Sequence, residues 1–160
     1  MDLLASQYDW IKRTREILFC YCEDMSHTDY VKGLANFSGD SIRDMHAHIA
    51  GCYQFWLGSH GLGKSIVKID PETVNSVQEM RELFKSTDEI VDEFLSKYKD
   101  NWEHTIPFTF KSGETSEFST LWLFTHTTTH EFHHKGQMVK MGRQLGYTPP
   151  DTDLIAPEKV

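Results

Sequence analysis

No stretch of this chain approaches the run of ~20 apolar residues that crosses a bilayer. Its opening, MDLLASQYDW, has an acidic second residue and no basic lead-in, so neither a membrane span nor a secretory signal is expected. Basic residues are few: 16 Lys and Arg stand against 24 Asp and Glu, a net charge of −8. Neutralising phosphates takes clustered Lys and Arg, and the lack of any cluster argues against nucleic acid or an anionic membrane as partner. Cysteine is scarce too. Cys20 and Cys22, two residues apart, point to different sides of a helix and make a poor metal clip. With Cys52 they read as small core or boundary residues in a reducing, cytoplasmic setting. Internal repeats and low-complexity tracts are missing, so residues 1–160 are expected to form a single domain.

What is present is helical periodicity. In residues 3–25, Leu4, Tyr8, Ile11, Leu18, Cys22 and Met25 recur at spacings of three, four or seven. Residues 41–57 place Ile42, Met45, Ile49, Cys52, Tyr53 and Trp56 on one face. A third segment is expected to open at Asp70-Pro71-Glu72, an N-cap followed by proline, and carries Val74, Val77, Phe84, Val91, Phe94 and Tyr98. In TIPFTFKSGETSEF, Ile106, Phe108 and Phe110 alternate with polar residues and Ser112-Gly113 can turn. A fourth helix, about residues 119–145, ends at Gly146. The fold class is therefore all-α: a four-helix bundle with a short extended segment or hairpin between its third and fourth helices.

The stretch GSHGLGKS, residues 58–65, matches the phosphate-loop pattern G-x-x-x-x-G-K-[ST]. Such a loop must follow a buried strand and lead straight into a helix. Here the preceding HIAGCYQFWL is helical in period and IVKID with a proline follows. The match is accidental, and the glycines are read as a loop between the second and third helices.

Histidine is the residue in excess, with nine in the chain. His126, His130 and His134 fall at i, i+4 and i+8 and stack on one helical face. Leu123, Met141 and Leu145 share it, so it is expected to face inward. Two histidines at i, i+4 can converge on one metal ion, and a third ligand must come from another helix. His46 and His48 both flank the second helix's apolar stripe, and periodicity does not choose between them.

Two stretches, SIRDMHAHIAGCYQFWL and THEFHHKGQMVKMGRQLG, together resemble the DinB/YfiT-like family. Its members show a second-helix histidine followed eight residues on by tryptophan, as His48 and Trp56 are here. They also show a histidine pair, here His130 and His134, just before a basic-Gly-Gln (Lys135-Gly136-Gln137) and a closing Leu-Gly (Leu145-Gly146). The resemblance covers nearly the whole chain, including the tail YTPPDTDL. It implies a four-helix bundle in which His48, His130 and His134 hold one divalent ion, zinc or nickel, and it selects His48 over His46. It places His126, Trp56 and Gln137 beside the ion or along its pocket, leaves His46 and His133 at the surface or boundary, and implies a homodimer. The better-understood members use a low-molecular-weight thiol such as mycothiol or bacillithiol in transfer or isomerisation reactions.

A divalent ion on three neutral imidazoles lowers the pKa of bound water towards ~7, or ionises a thiol. The first expectation is thus a thiol-dependent S-transferase or isomerase acting on a small molecule. A metal-dependent hydrolase using metal-bound hydroxide comes second, and a non-catalytic metal-binding stress-response protein third. HEFHH, residues 130–134, is set aside as a hydrolase motif: it is read as lacking the H-E-x-x-H pattern, and Glu131 lies about 100° around the helix from His130 and is expected to face away. The loops at 58–70 and 104–118 are expected to frame the pocket.

Overall fold

A computed structural model describes residues 2–154; the expected domain of residues 1–160 extends past both ends of this range. Helix dominates. The first helix, α1, spans Leu3–Glu23 and is capped by Asp2, whose side chain accepts from the amides of Leu4 and Ala5. A single turn, α2 (His27–Tyr30), follows. Helix α3 spans Ile42–Tyr53 and opens with a capping box in which Ser41 and Asp44 satisfy each other's backbone amides. It runs without a break into a π-helical segment, Gln54–Gly61. Helix α4 spans Val77–Tyr98, strands β1 (Thr105–Thr109) and β2 (Thr115–Ser119) form a hairpin, and α5 spans Thr120–Gln144.

Two boundaries differ from the sequence reading. Asp70 does cap, accepting from the Glu72 amide, but only for one 3₁₀ turn, Pro71–Thr73. Val74 is extended, and Ser76 starts the true helix by accepting from Glu79. Two successive caps competed for one helix, and the second won. Gly58 and Gly61 lie within the π-helix rather than in a loop. At Gly61 the reason is close packing: a Cβ would collide with the Phe94 ring, and the Gly61 carbonyl accepts a 2.7 Å hydrogen bond from the Tyr98 hydroxyl. Lys64, which a phosphate loop would aim at its ligand, instead pairs with Glu93 at 2.6 Å.

The hairpin forms as the alternation predicts. It is antiparallel, with Ile106 opposite Phe118 and Phe108 opposite Ser116. Its end delivers the chain to α5, where Ser119 is the N-cap. After the C-cap Leu145, Gly146 takes a positive φ of 95°, a conformation glycine adopts without strain.

The long helices pack on one another: α3 lies against α4 and α5, and α1 against the same two. Tyr8, Ile11 and Leu18 from α1 meet Ile42, Ile49 and Tyr53 from α3, with Phe84, Val91 and Phe94 from α4 and Leu123, Phe124 and Met141 from α5. At ~25 cal/mol per Å² of apolar surface removed from water, this burial is the main stabilising contribution. No helix among the described residues is long and apolar enough to cross a membrane.

The core also holds charge. Arg15, Glu131 and Lys135 are 3%, 0% and 1% exposed. The Arg15 guanidinium donates to both Glu131 oxygens, at 2.9 and 2.8 Å, and to Asp88 at 2.7 Å. The Tyr53 hydroxyl adds a 2.7 Å bond to Glu131, and Lys135 lies 3.0 Å from the same carboxylate while donating to Thr14. Burial alone would raise the Glu131 pKa, but Arg15 and Lys135, with hydrogen bonds from Arg15 and Tyr53, outweigh it and hold the carboxyl at about 2. His46, expected at the surface or boundary, is instead buried, stacked on Phe19 at 5.0 Å with Nδ1 3.3 Å from the Tyr30 hydroxyl. Its flanking position on the apolar stripe is filled from α1 and α4, which the sequence pattern of α3 does not reveal.

Candidate metal centre

On α3 the inward stripe of Ile42, Met45, Ile49 and Tyr53 turns His48 outward, toward α5. On α5 the buried face carries Leu123, Thr127, Glu131, Met138 and Met141. His126, His130 and His134 stand to one side of it and are half-buried, not turned into the core as their spacing suggested. The core-facing positions go to Glu131 and Lys135, which pair with each other, while Arg15 of α1 adds a second cation to Glu131.

The structure brings His48, His130 and His134 together. Ring centroids lie 4.9 Å apart for His48 and His130, 4.7 Å for His48 and His134, and 4.3 Å for His130 and His134. One nitrogen from each ring falls within 4.8 Å of the other two, a group able to hold a metal ion. The Nε2 atoms of His48 and His130 are 3.1 Å apart, near the ~3.4 Å edge of a tetrahedron built on 2.0–2.1 Å metal–nitrogen bonds. Gln137 completes the fit. Its side-chain oxygen accepts a 2.6 Å bond from His134 Nδ1, which leaves the lone pair on Nε2. Its amide nitrogen lies 3.3 Å from Nε2 of His133, which is exposed as expected.

The electrostatics favour neutral rings. Burial, then the charges of His134, His48, His126 and His133, lowers the His130 pKa to about 4. Burial lowers His134 too, against the opposing hydrogen bond to Gln137, and lowers His126. Imidazoles that resist protonation keep their lone pairs available to a cation.

A pocket of about 900 Å³ opens beside the cluster. The three histidines, His126, Cys52 and Trp56 line it, together with Lys68 through Glu72 and with Asp40 and Asp44. His126 lines this pocket and stacks on Trp122, centroids 4.9 Å apart and planes 6° apart. Trp56 packs edge-on to His126 at 5.4 Å. The 58–70 loop frames the pocket only through its last residues. The 104–118 hairpin does not line the pocket; its Phe108 packs on Trp56, centroids 5.0 Å apart.

HEFHH does satisfy H-E-x-x-H letter for letter, contrary to the way it is set aside above. What disqualifies Glu131 as a base is its place: wholly buried, ion-paired and on the core side of the helix. Sequence reasoning missed Cys52 as a pocket residue, because its place on the apolar stripe read as core. It also missed Asp40 and Lys68, which lie in loops without a pattern.

No curated protein matches the chain. Compared with known families, it matches the DinB family over residues 2–159. That match takes in both histidine-bearing helices and nearly the whole chain: the protein belongs to the DinB family.

Proposed function

We propose that the chain is a single DinB-like four-helix-bundle domain, working as a homodimer, in which His48, His130 and His134 hold one zinc or nickel ion. We further propose that it is a thiol-dependent S-transferase or isomerase using a cosubstrate of the bacillithiol or mycothiol type. The observation that carries this reading is the company the histidines keep: three imidazoles face a roomy pocket, and the carboxylate next to them in sequence is locked into the core. A divalent ion in that position would supply Lewis acidity, making a thiol acidic enough to be nucleophilic near neutral pH.

The chain's own residues do the rest. Gln137 fixes the His134 tautomer and ring orientation. Phe55, Trp56, Ile69 and Pro71 give the pocket apolar walls that exclude water and hold the carbon skeleton of a small substrate. Lys68 offers a cation to an acidic group on either the thiol or its acceptor.

A hydrolase is the second reading, favoured by Asp40. This exposed carboxylate lines the same pocket as the three histidines, so it is the candidate base. Cobalt-substituted protein separates the two, in a Cys52→Ser background that removes the pocket's own thiol. The first reading expects a thiolate-to-cobalt absorption band on adding bacillithiol, glutathione or coenzyme A. No band with any thiol, together with ester or amide hydrolysis that Asp40→Asn abolishes, would replace it by the second. Silence in both assays would leave a non-catalytic metal-binding stress protein.

A further inference from the structure

The seam between α3 and α5 carries a second set of donors. Cys52 lies one turn beyond His48 on α3, and His126 lies one turn before His130 on α5. Residue numbers rise along one helix as they fall along the other, so the two run antiparallel and successive turns stay in register. The Cys52 sulfur and one nitrogen each from His126 and His130 fall within 4.8 Å of one another. Four residues of helix advance ~6 Å, so this set repeats the three-histidine arrangement one rung along the pocket. His130 belongs to both sets.

We infer that Cys52, His126 and His130 form a second cation seat, one that takes thiophilic ions such as cobalt(II), zinc, cadmium or copper(I). One sulfur and two imidazoles are a softer donor set than three imidazoles, and thiolate selects ions of that kind. On binding, the thiol proton leaves to solvent and the sulfur bonds to the cation, while both imidazoles bind through neutral nitrogens. The seat is built, not accidental. His126 is clamped between Trp122, stacked on its face, and Trp56 at its edge. Cys52 and both imidazoles line the same pocket, so a cation has a way in. Because one His130 ring serves both sets, the two seats are alternatives. A hard choice follows: an ion drawn to sulfur releases His48 and His134, and total binding stays at one ion per chain.

This seat stands apart from the function proposed above, since it needs neither His48 nor His134. The His48→Ala/His134→Ala double variant, which destroys the histidine-only set, is titrated with cobalt(II). The expected result is a near-ultraviolet thiolate-to-cobalt band that Cys52→Ser removes and Cys20→Ser leaves in place. Absence of the band from the folded variant, or its loss with Cys20→Ser, overturns the inference. A second measurement uses the unaltered chain, so it does not depend on the variants folding. Cadmium(II) is expected to slow alkylation of Cys52 by iodoacetamide at least about tenfold, leaving the exposed Cys20 little changed. Equal Cys52 rates with and without cadmium would overturn it as well.

Discussion

On α5, Glu131 and Lys135 point into the core while His126, His130 and His134, one step around the same helix, point into the pocket. The two groups are polar and close in sequence, yet their treatment differs. The Glu131 carboxylate is matched from three directions: by Arg15 of α1, Tyr53 of α3 and Lys135 of its own helix. The histidines mostly face one another; His48 and His130 meet nitrogen to nitrogen at 3.1 Å. Polar groups that the fold itself satisfies are structural. Groups held together with lone pairs left over are arranged for something that arrives later.

The comparison breaks most severely at Glu131. Its replacement by alanine leaves the Arg15 and Lys135 cations buried with their main partner gone, a loss of about 3–5 kcal/mol in unfolding free energy by urea titration. A loss below about 1 kcal/mol would show that the core charges are not matched in the way described.

Acid gives the next largest effect, and it sharpens the contrast within the core. Burial pushes the His46 pKa down to about 3, so the folded chain keeps this ring neutral while the unfolded chain protonates it near ~6.5. The unfolded state then binds more protons, and stability falls as pH drops from 6.5 towards 3. Between pH 6.5 and 5 the share due to His46 is on the order of 2 kcal/mol. His46→Gln, which keeps a partner for Tyr30, is expected to flatten that part of the stability curve; an unchanged slope would contradict the burial. Glu131 contributes in a lower window, since its depressed pKa costs stability only as pH falls from about 4.5 towards 2.

The effect with the least bearing on the fold belongs to the pocket. Gln137→Ala frees the His134 ring without removing a ligand, and zinc affinity is expected to drop about 10–100-fold, read by competition with a chelator. Unchanged affinity would mean that Gln137 does not orient the site.

Much of this was legible in the residues. The long helices follow from their apolar stripes, and the stop at Gly146 and the turn at Ser112-Gly113 fall where turn chemistry puts them. His126, His130 and His134 share a pocket wall because their spacing dictates a common face. Other features depend on contacts that periodicity does not carry. Glu131 is read in the sequence only as facing away from the histidines, since its partner Arg15 lies 116 residues away in the chain. The helical wheel leaves His46 and His48 equivalent; the family resemblance selects His48, and the packing of His46 against Phe19 and Phe84 is the physical reason the wheel does not carry. The start of α4 was misplaced because Asp70 is a real cap, but for a single turn.

Metal content of purified His130→Ala protein, set beside the parent after both are loaded with zinc and desalted, tests the central claim most directly. His130 belongs to both donor sets, so the variant is expected to lose nearly all bound zinc. Its helical circular dichroism and its metal-free stability should stay within about 1 kcal/mol of the parent. A folded variant that retains the parent's zinc would contradict the account.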